Sequence, residues 1–266
     1  MPSRQFPNIA LHTLLTTWDR AIFVEPGDVK SSAVDGLRAP PVFDQAPVRM
    51  NGAWIGMIPT TRLIELQASG LPLTADDATI FTGRLAPEPT LDVLLDFIAL
   101  HRSAIVAARD GGVGDGFVTL SDLNKHPLRA LLYPLYAELE AELAAAVSAH
   151  YPEPWVWLEM LDKDKQARLV GYWELSKREG VDIGPLSGTM LSELVRIVEK
   201  TDPLRKTLGF ESKGKWGDFV GGLIELRNGV MHPVRPLFAT PDDVKDVREQ
   251  LTRVLDLLGR LDQFVP

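Results

Sequence analysis

A chain of 266 residues is too long for one small core and suits two domains of ordinary size. Its 45% hydrophobic and 24% charged content excludes a disordered chain, and the absence of cysteine excludes disulfide scaffolds, thiolate zinc sites and cysteine nucleophiles. The formal net charge of −8 repels nucleic acid at long range, so any RNA must be met by a local patch.

Residues 1–15 lack the apolar core and small-residue cleavage site of a secretory leader, and no apolar run approaches a bilayer-spanning length. A cytoplasmic protein without membrane contact is therefore expected. Residues 1–128 are rich in Pro and Gly and carry short apolar runs that read as strands: Ala21-Ile22-Phe23-Val24, Trp54-Ile55-Gly56-Met57-Ile58 and Ala104-Ile105-Val106-Ala107. Between them, residues 90–101 read as a helix whose broad apolar face is Leu91, Leu94, Leu95, Phe97, Ile98 and Leu100. Two stretches share one plan. Residues 47–58 read as strand, turn and strand before a helix from Thr60; residues 103–119 repeat this, with Arg109-Asp110-Gly111-Gly112 in the turn and a helix from Ser121. Two copies of one small unit imply a pseudo-symmetric pair with clefts between the copies.

After residue 128 the pattern becomes helical, with amphipathic segments expected at 128–150, 154–178, 187–208, 215–231 and 241–263. Thr240 reads as the N-cap of the last, with Pro241 in its first turn and Asp242 and Asp243 complementing the dipole. The fold class expected is α+β: an N-terminal α/β pair over residues 1–128, then an all-α bundle over 129–266. Trp155, Trp157 and Trp173 are expected in the core or at a dimer interface rather than stacked on bases.

Two constellations carry chemistry. In Gly116-Phe117-Val118-Thr119-Leu120-Ser121-Asp122-Leu123, a hydroxyl at a strand end is followed three residues later by a carboxylate at a helix start. Such a hydroxyl, with helix N-terminal amides, holds phosphate, and such a carboxylate accepts from ribose hydroxyls. The same residues also make an ordinary helix cap. The segment resembles the CBS domain family, whose nucleotide-binding copies carry glycine, two positions, Thr or Ser, two positions and Asp. The resemblance spans roughly residues 10–128. It implies that Thr119 contacts the phosphate and Asp122 the ribose of an adenine nucleotide, AMP or ATP, acting as a regulatory ligand. The first copy has Pro59 and Arg62 at those positions, so at most one site of this kind is expected.

The second constellation lies in a basic window. Between Arg196 and Arg235 stand eight basic and five acidic residues. Here Arg227-Asn228-Gly229-Val230-Met231-His232-Pro233 closes a helix, and Pro233 disfavours helical geometry at His232. Asn228 and His232, four apart, share a face that Arg227 can reach. Together they offer a phosphate clamp, an orienting amide and a proton-transfer group, although a lone histidine at a helix end also serves the dipole. Residues 130–264 resemble HEPN domains, helical bundles whose motif is Arg, then Asn, Asp or His, a short spacer and His; Arg227, Asn228 and His232 match it.

The resemblance implies a metal-independent endoribonuclease that needs no cofactor for catalysis, takes RNA as substrate, and works as a homodimer in which each copy supplies an Arg and a His. The alternative is a non-catalytic adenylate sensor or RNA-binding regulator. No carboxylate cluster or His-rich spacing suggests a metal, and there is no glycine-rich phosphate loop.

Overall fold

The computed structural model describes residues 4–25, 35–37, 44–108, 114–181 and 183–264. It is mixed α+β, with sheets in the N-terminal region and helices in the C-terminal region. It divides into two compact units: Asn8–Pro127 with Phe238–Lys245, and Met1–Pro7 with Leu128–Leu237 and Asp246–Pro266. Among the described residues no helix is long and apolar enough to cross a membrane.

The N-terminal unit holds strands β1 (Thr16–Thr17), β2 (Gln45–Met50) and β3 (Ala53–Pro59), helix α1 (Thr60–Ser69), strands β4 (Thr79–Ile80) and β5 (Arg84–Leu85), helix α2 (Leu91–His101), and strands β6 (Ser103–Val106) and β7 (Gly116–Thr119). Asn51 and Gly52, both at positive φ, form the two-residue turn between β2 and β3, the conformation that matches strand twist and that Asn-Gly adopts at low cost. The second copy's turn, placed at residues 109–112, lies outside the described residues. The strand expected at residues 21–24 is reduced to a single parallel bridge from Val24 to Val48.

The repeat governs the pairing. One sheet runs β1-β7-β6-β5 and the other β2-β3-β4. Val24 bridges Val48, which faces Gly56; Leu85 pairs with Val106, which faces Gly116. On the opposite edge Thr79 and Ile80 pair with Met57 and Gly56, as Thr16 and Thr17 pair with Phe117 and Gly116. Each hairpin therefore takes its edge from the short strand that leads into the other copy. This close pairing explains both glycines. A Cβ on Gly56 would lie 2.2 Å from the Thr79 carbonyl oxygen, and one on Gly116 would lie 2.3 Å from that of Thr16. Around the first copy Val24, Leu37, Ala46, Val48, Ile58 and Leu63 form an apolar core, and α2 buries Leu91, Leu94, Leu95 and Ile98.

The helix expected from Ser121 is a four-residue 3-10 turn, Ser121–Asn124; Lys125 is extended at ψ 151, and the helix restarts as α3 (His126–His150) with Pro127 in its first turn.

In the helical unit α3 buries Leu128, Leu132, Tyr136, Leu139 and Leu143, an apolar stripe at helical spacing. The segment expected as one helix at 154–178 is two, α4 (Pro154–Leu158) and α5 (Lys163–Arg178), separated where Asp162 turns extended. The segment at 187–208 is α6 (Leu191–Lys200) and α7 (Asp202–Thr207), preceded by a 3-10 turn, Pro185–Gly188; the break is at Thr201, before Pro203, which has no amide to continue a helix. The segment at 215–231 splits into α8 (Lys213–Val220) and α9 (Leu223–Met231) at Gly221-Gly222, where Gly222 has φ +85. The last helix, α10 (Pro241–Leu261), is unbroken. Its start forms as expected: the Asp243 carboxylate accepts from the Ala239 and Thr240 amides, which holds it below the usual carboxylate range, and the Asp243 amide donates to Thr240 Oγ1. Arg4 forks between Asp262, just after α10, at 2.6 Å and Glu138 on α3 at 2.5 Å.

Candidate functional sites

In the N-terminal unit Thr119 ends β7, and the 3-10 turn brings Asp122 back against it. Both the amide and Oγ1 of Thr119 donate to Asp122 Oδ2, at 2.7 and 2.8 Å, while Asp122 Oδ1 pairs with Lys125 Nζ at 2.7 Å. Lys125 in turn donates to the Leu14 carbonyl. Thr119 and Asp122 are 7% and 6% exposed, and what remains of their surface borders a cavity of about 230 Å³. Arg20 and Ser121 add polar groups to its wall; Ile22, Met57 and Phe117 add apolar ones. A guanidinium and the Ser121 hydroxyl suit a phosphate, and the apolar wall suits a base or sugar face, while the Thr119 hydroxyl proton is committed to Asp122. The helix N-terminus expected to offer its amides to the phosphate is here a four-residue 3-10 turn, Ser121–Asn124.

The Thr119–Asp122 geometry recurs away from that cavity. The Thr74 amide and Oγ1 donate to Asp77 Oδ2 at 3.0 and 2.8 Å, closing the 3-10 turn Ala75–Asp77. Bonds from the Thr74 amide, Arg62 and the Thr74 hydroxyl hold the Asp77 carboxyl below its ordinary range. Arg62, which stands where the first copy would need its carboxylate, is committed to Asp77 at 2.8 Å and Glu65 at 3.1 Å.

In the helical unit the three motif residues lie at the C-terminal end of α9. Arg227 is half-buried, and its Nε donates to Glu140 Oε1 on α3 at 2.8 Å; its NH1 reaches Asn228 Oδ1 at 3.4 Å, a weak contact. Asn228 and His232 are exposed. His232 caps the helix at φ −112, ψ 86, and its amide still donates to the Asn228 carbonyl at 3.0 Å. Arg227 and Asn228 are thus brought together. No side-chain hydrogen bond joins His232 to either among the described residues.

Among the described residues, three cations of the basic window are paired with carboxylates. Arg196 pairs with Glu199 at 2.5 Å, Arg205 with Asp202 at 2.7 Å, and Arg227 with Glu140 from outside the window. Trp157 is buried at 1% exposure, whereas Trp155 is 55% exposed and sits with its ring 5.9 Å from that of Trp173. Among the described residues no group of three or more His, Asp or Glu side chains is placed to hold a metal ion.

Sequence reading missed Arg20 and Glu140. Arg20 lies about a hundred positions from the motif it joins and arrives with the leader strand of the first copy. Glu140 is one of several acids along the polar flank of α3, and only the fold selects it as the partner of Arg227. It also borders an open groove of about 450 Å³ whose wall includes Tyr151, Trp157 and Pro185.

No protein-family model and no curated protein matches the chain. Solved structures similar to part of it include a functionally unknown conserved protein domain from Neisseria meningitidis MC58, at 17% identity and TM-score 0.37, covering 44% of this chain and 78% of that one. Another is CBSX2 in complex with AMP, at 18% identity and TM-score 0.34, covering 46% of this chain and 96% of that one.

Proposed function

We propose that the N-terminal unit takes an adenine nucleotide, AMP or ATP, at the cavity bordered by Thr119 and Asp122, and that the helical unit cleaves RNA without a metal, in the manner of HEPN domains. The end of α9 carries the catalytic half: exposed Asn228 and His232 stand one turn apart, and the Arg227 guanidinium reaches Asn228. His232 takes the proton from a ribose 2′-hydroxyl or gives one to the leaving 5′-oxygen, and Arg227 stabilises the charged phosphorane. Asn228 orients the phosphate or the imidazole. An incoming phosphate must share Arg227 with Glu140, a competition between two anions for one guanidinium. Incubation of the purified protein with total RNA in EDTA, with and without AMP and ATP, tests both halves. Cleavage in EDTA that responds to nucleotide is the expected result.

The half-buried Arg227–Glu140 pair favours a second reading, a non-catalytic adenylate sensor in which the motif packs structurally. No cleavage under any of these conditions selects it.

Nucleotide binding has its own check. Calorimetry should find a single AMP or ATP site per chain, and Asp122→Ala should weaken it at least about tenfold, the loss of roughly one charge-assisted hydrogen bond to ribose. Because Asp122 also closes its turn, Thr74→Ala supplies a control for turn stability: it removes the hydroxyl bond of the corresponding Thr–Asp turn, away from the cavity. Thr74→Ala should lower Tm by about 2–4 °C and leave affinity unchanged. If Asp122→Ala binds as the wild type does, its ribose role is wrong.

The chain is also expected to pair with itself through its helical unit, where Trp155, Val156, Tyr172 and Leu175 are each 45% or more exposed. Light scattering at micromolar concentration should give the dimer mass, and a strictly monomeric mass overturns a composite two-chain site.

A further inference from the structure

Arg129 lies in the first turns of α3 and is 4% exposed. Among the described residues no carboxylate pairs with it, and burial alone draws its pKa below the usual guanidinium value. Its Nε has no hydrogen-bond partner. A buried guanidinium without a counter-ion is costly, and an apolar residue of similar volume would ordinarily serve a core better. What Arg129 does hold is backbone: NH1 donates to the Gly229 carbonyl and NH2 to the Arg235 carbonyl.

These two carbonyls bracket His232, three residues before it and three after. Gly229 belongs to the last turn of α9, where helical carbonyls lack their own partners. Arg235 stands on the returning limb, whose amide closes onto the His232 carbonyl at 3.1 Å. The limb packs tightly on the helix, since a Cβ at Gly229 would lie 2.6 Å from Leu237 Cδ2. The rigid fork of a guanidinium can span both limbs at once; the single ammonium of a lysine offers no such pair of fixed donors. The His232 side chain itself is exposed and makes no hydrogen bond among the described residues, so its place depends on the backbone of this turn.

We propose that Arg129 is a positioning residue: it locks the turn 229–235 and thereby sets the imidazole of His232 relative to Arg227 and Asn228. Its value to activity rests on the reading of His232 as the proton-transfer group; its hold on the turn does not.

The test is Arg129→Met, with Arg129→Gln as the variant to read if methionine does not fold. In the folded variant the His232 ring resonance in a proton–carbon correlation spectrum should shift or broaden, while those of His12, His101 and His150 stay in place. Amide exchange over residues 231–237 should quicken about tenfold or more relative to α10, the signature of local opening. In the cleavage assay kcat should fall about tenfold or more at unchanged KM, because misplacing a catalytic group lowers the rate without weakening binding. An unshifted His232 with wild-type exchange in the folded variant overturns the proposal. A wild-type protein that cleaves no RNA overturns the catalytic reading instead, and the resonance and exchange measurements still decide whether Arg129 holds the turn.

Discussion

Replacing His232 by alanine should lower RNA cleavage by about a hundredfold to ten-thousandfold, the range over which a positioned general acid or base contributes. The fold should be untouched, because His232 is exposed at the helix end and its side chain makes no hydrogen bond among the described residues. Arg227→Ala should cost a comparable factor in rate, but with a structural signature of its own: it leaves Glu140 half-buried without its cation. Comparing the two variants therefore separates chemistry from packing. Loss of cleavage with wild-type melting at His232→Ala is the catalytic result, whereas lowered stability with unchanged activity would make the residue structural. Wild-type cleavage should persist in EDTA, and the products should end in a 2′,3′-cyclic phosphate if the ribose hydroxyl is the nucleophile. A free 3′-hydroxyl would instead mean attack by water.

The second large effect is on stability. Gly116→Ala should destabilise the N-terminal unit by about 3 kcal/mol, at the upper end of overpacking costs, because the added methyl would lie 2.3 Å from the Thr16 carbonyl oxygen and 2.9 Å from Leu15 Cδ1. The oxygen belongs to backbone, so relief requires β1 to leave β7, and Thr16 borders the cavity that β1 helps to build. Nucleotide affinity should fall with stability. The contrasting substitutions are Gly171→Ala in α5 and Gly259→Ala in α10, where a Cβ meets nothing within 4 Å; each should raise stability by roughly 0.5–1 kcal/mol through helix propensity. Melting curves of the three variants decide the matter. A Gly116→Ala protein that melts with the wild type would mean that the edge strand does not press on β7.

Much of the local structure was legible because local structure is written at short range. The period of Leu128, Leu132, Leu139 and Leu143 specifies α3, and the Asn51-Gly52 turn specifies the β2–β3 hairpin, since a helical stripe and the φ signs of a two-residue loop depend only on near neighbours. Thr240 and Asp243 specify a helix start for the same reason. Helix lengths were legible only in part: the apolar period continues through Thr201 and Gly222, and the chain breaks there because Pro203 lacks an amide and Gly222 adopts a left-handed conformation.

The spacing of Thr119 with Asp122, and of Arg227 with Asn228 and His232, was determined by sequence, since only three and five positions separate the ends of the two motifs. What surrounds those residues was decided by tertiary structure. Arg20 reaches the cavity of Thr119 on the leader of the other copy, Glu140 meets Arg227 across 87 positions, and Arg129 holds carbonyls 100 and 106 positions away. No local window contains such partners. They are chosen when apolar faces are buried together, because that burial fixes which charges and carbonyls are left beside one another and must be satisfied there.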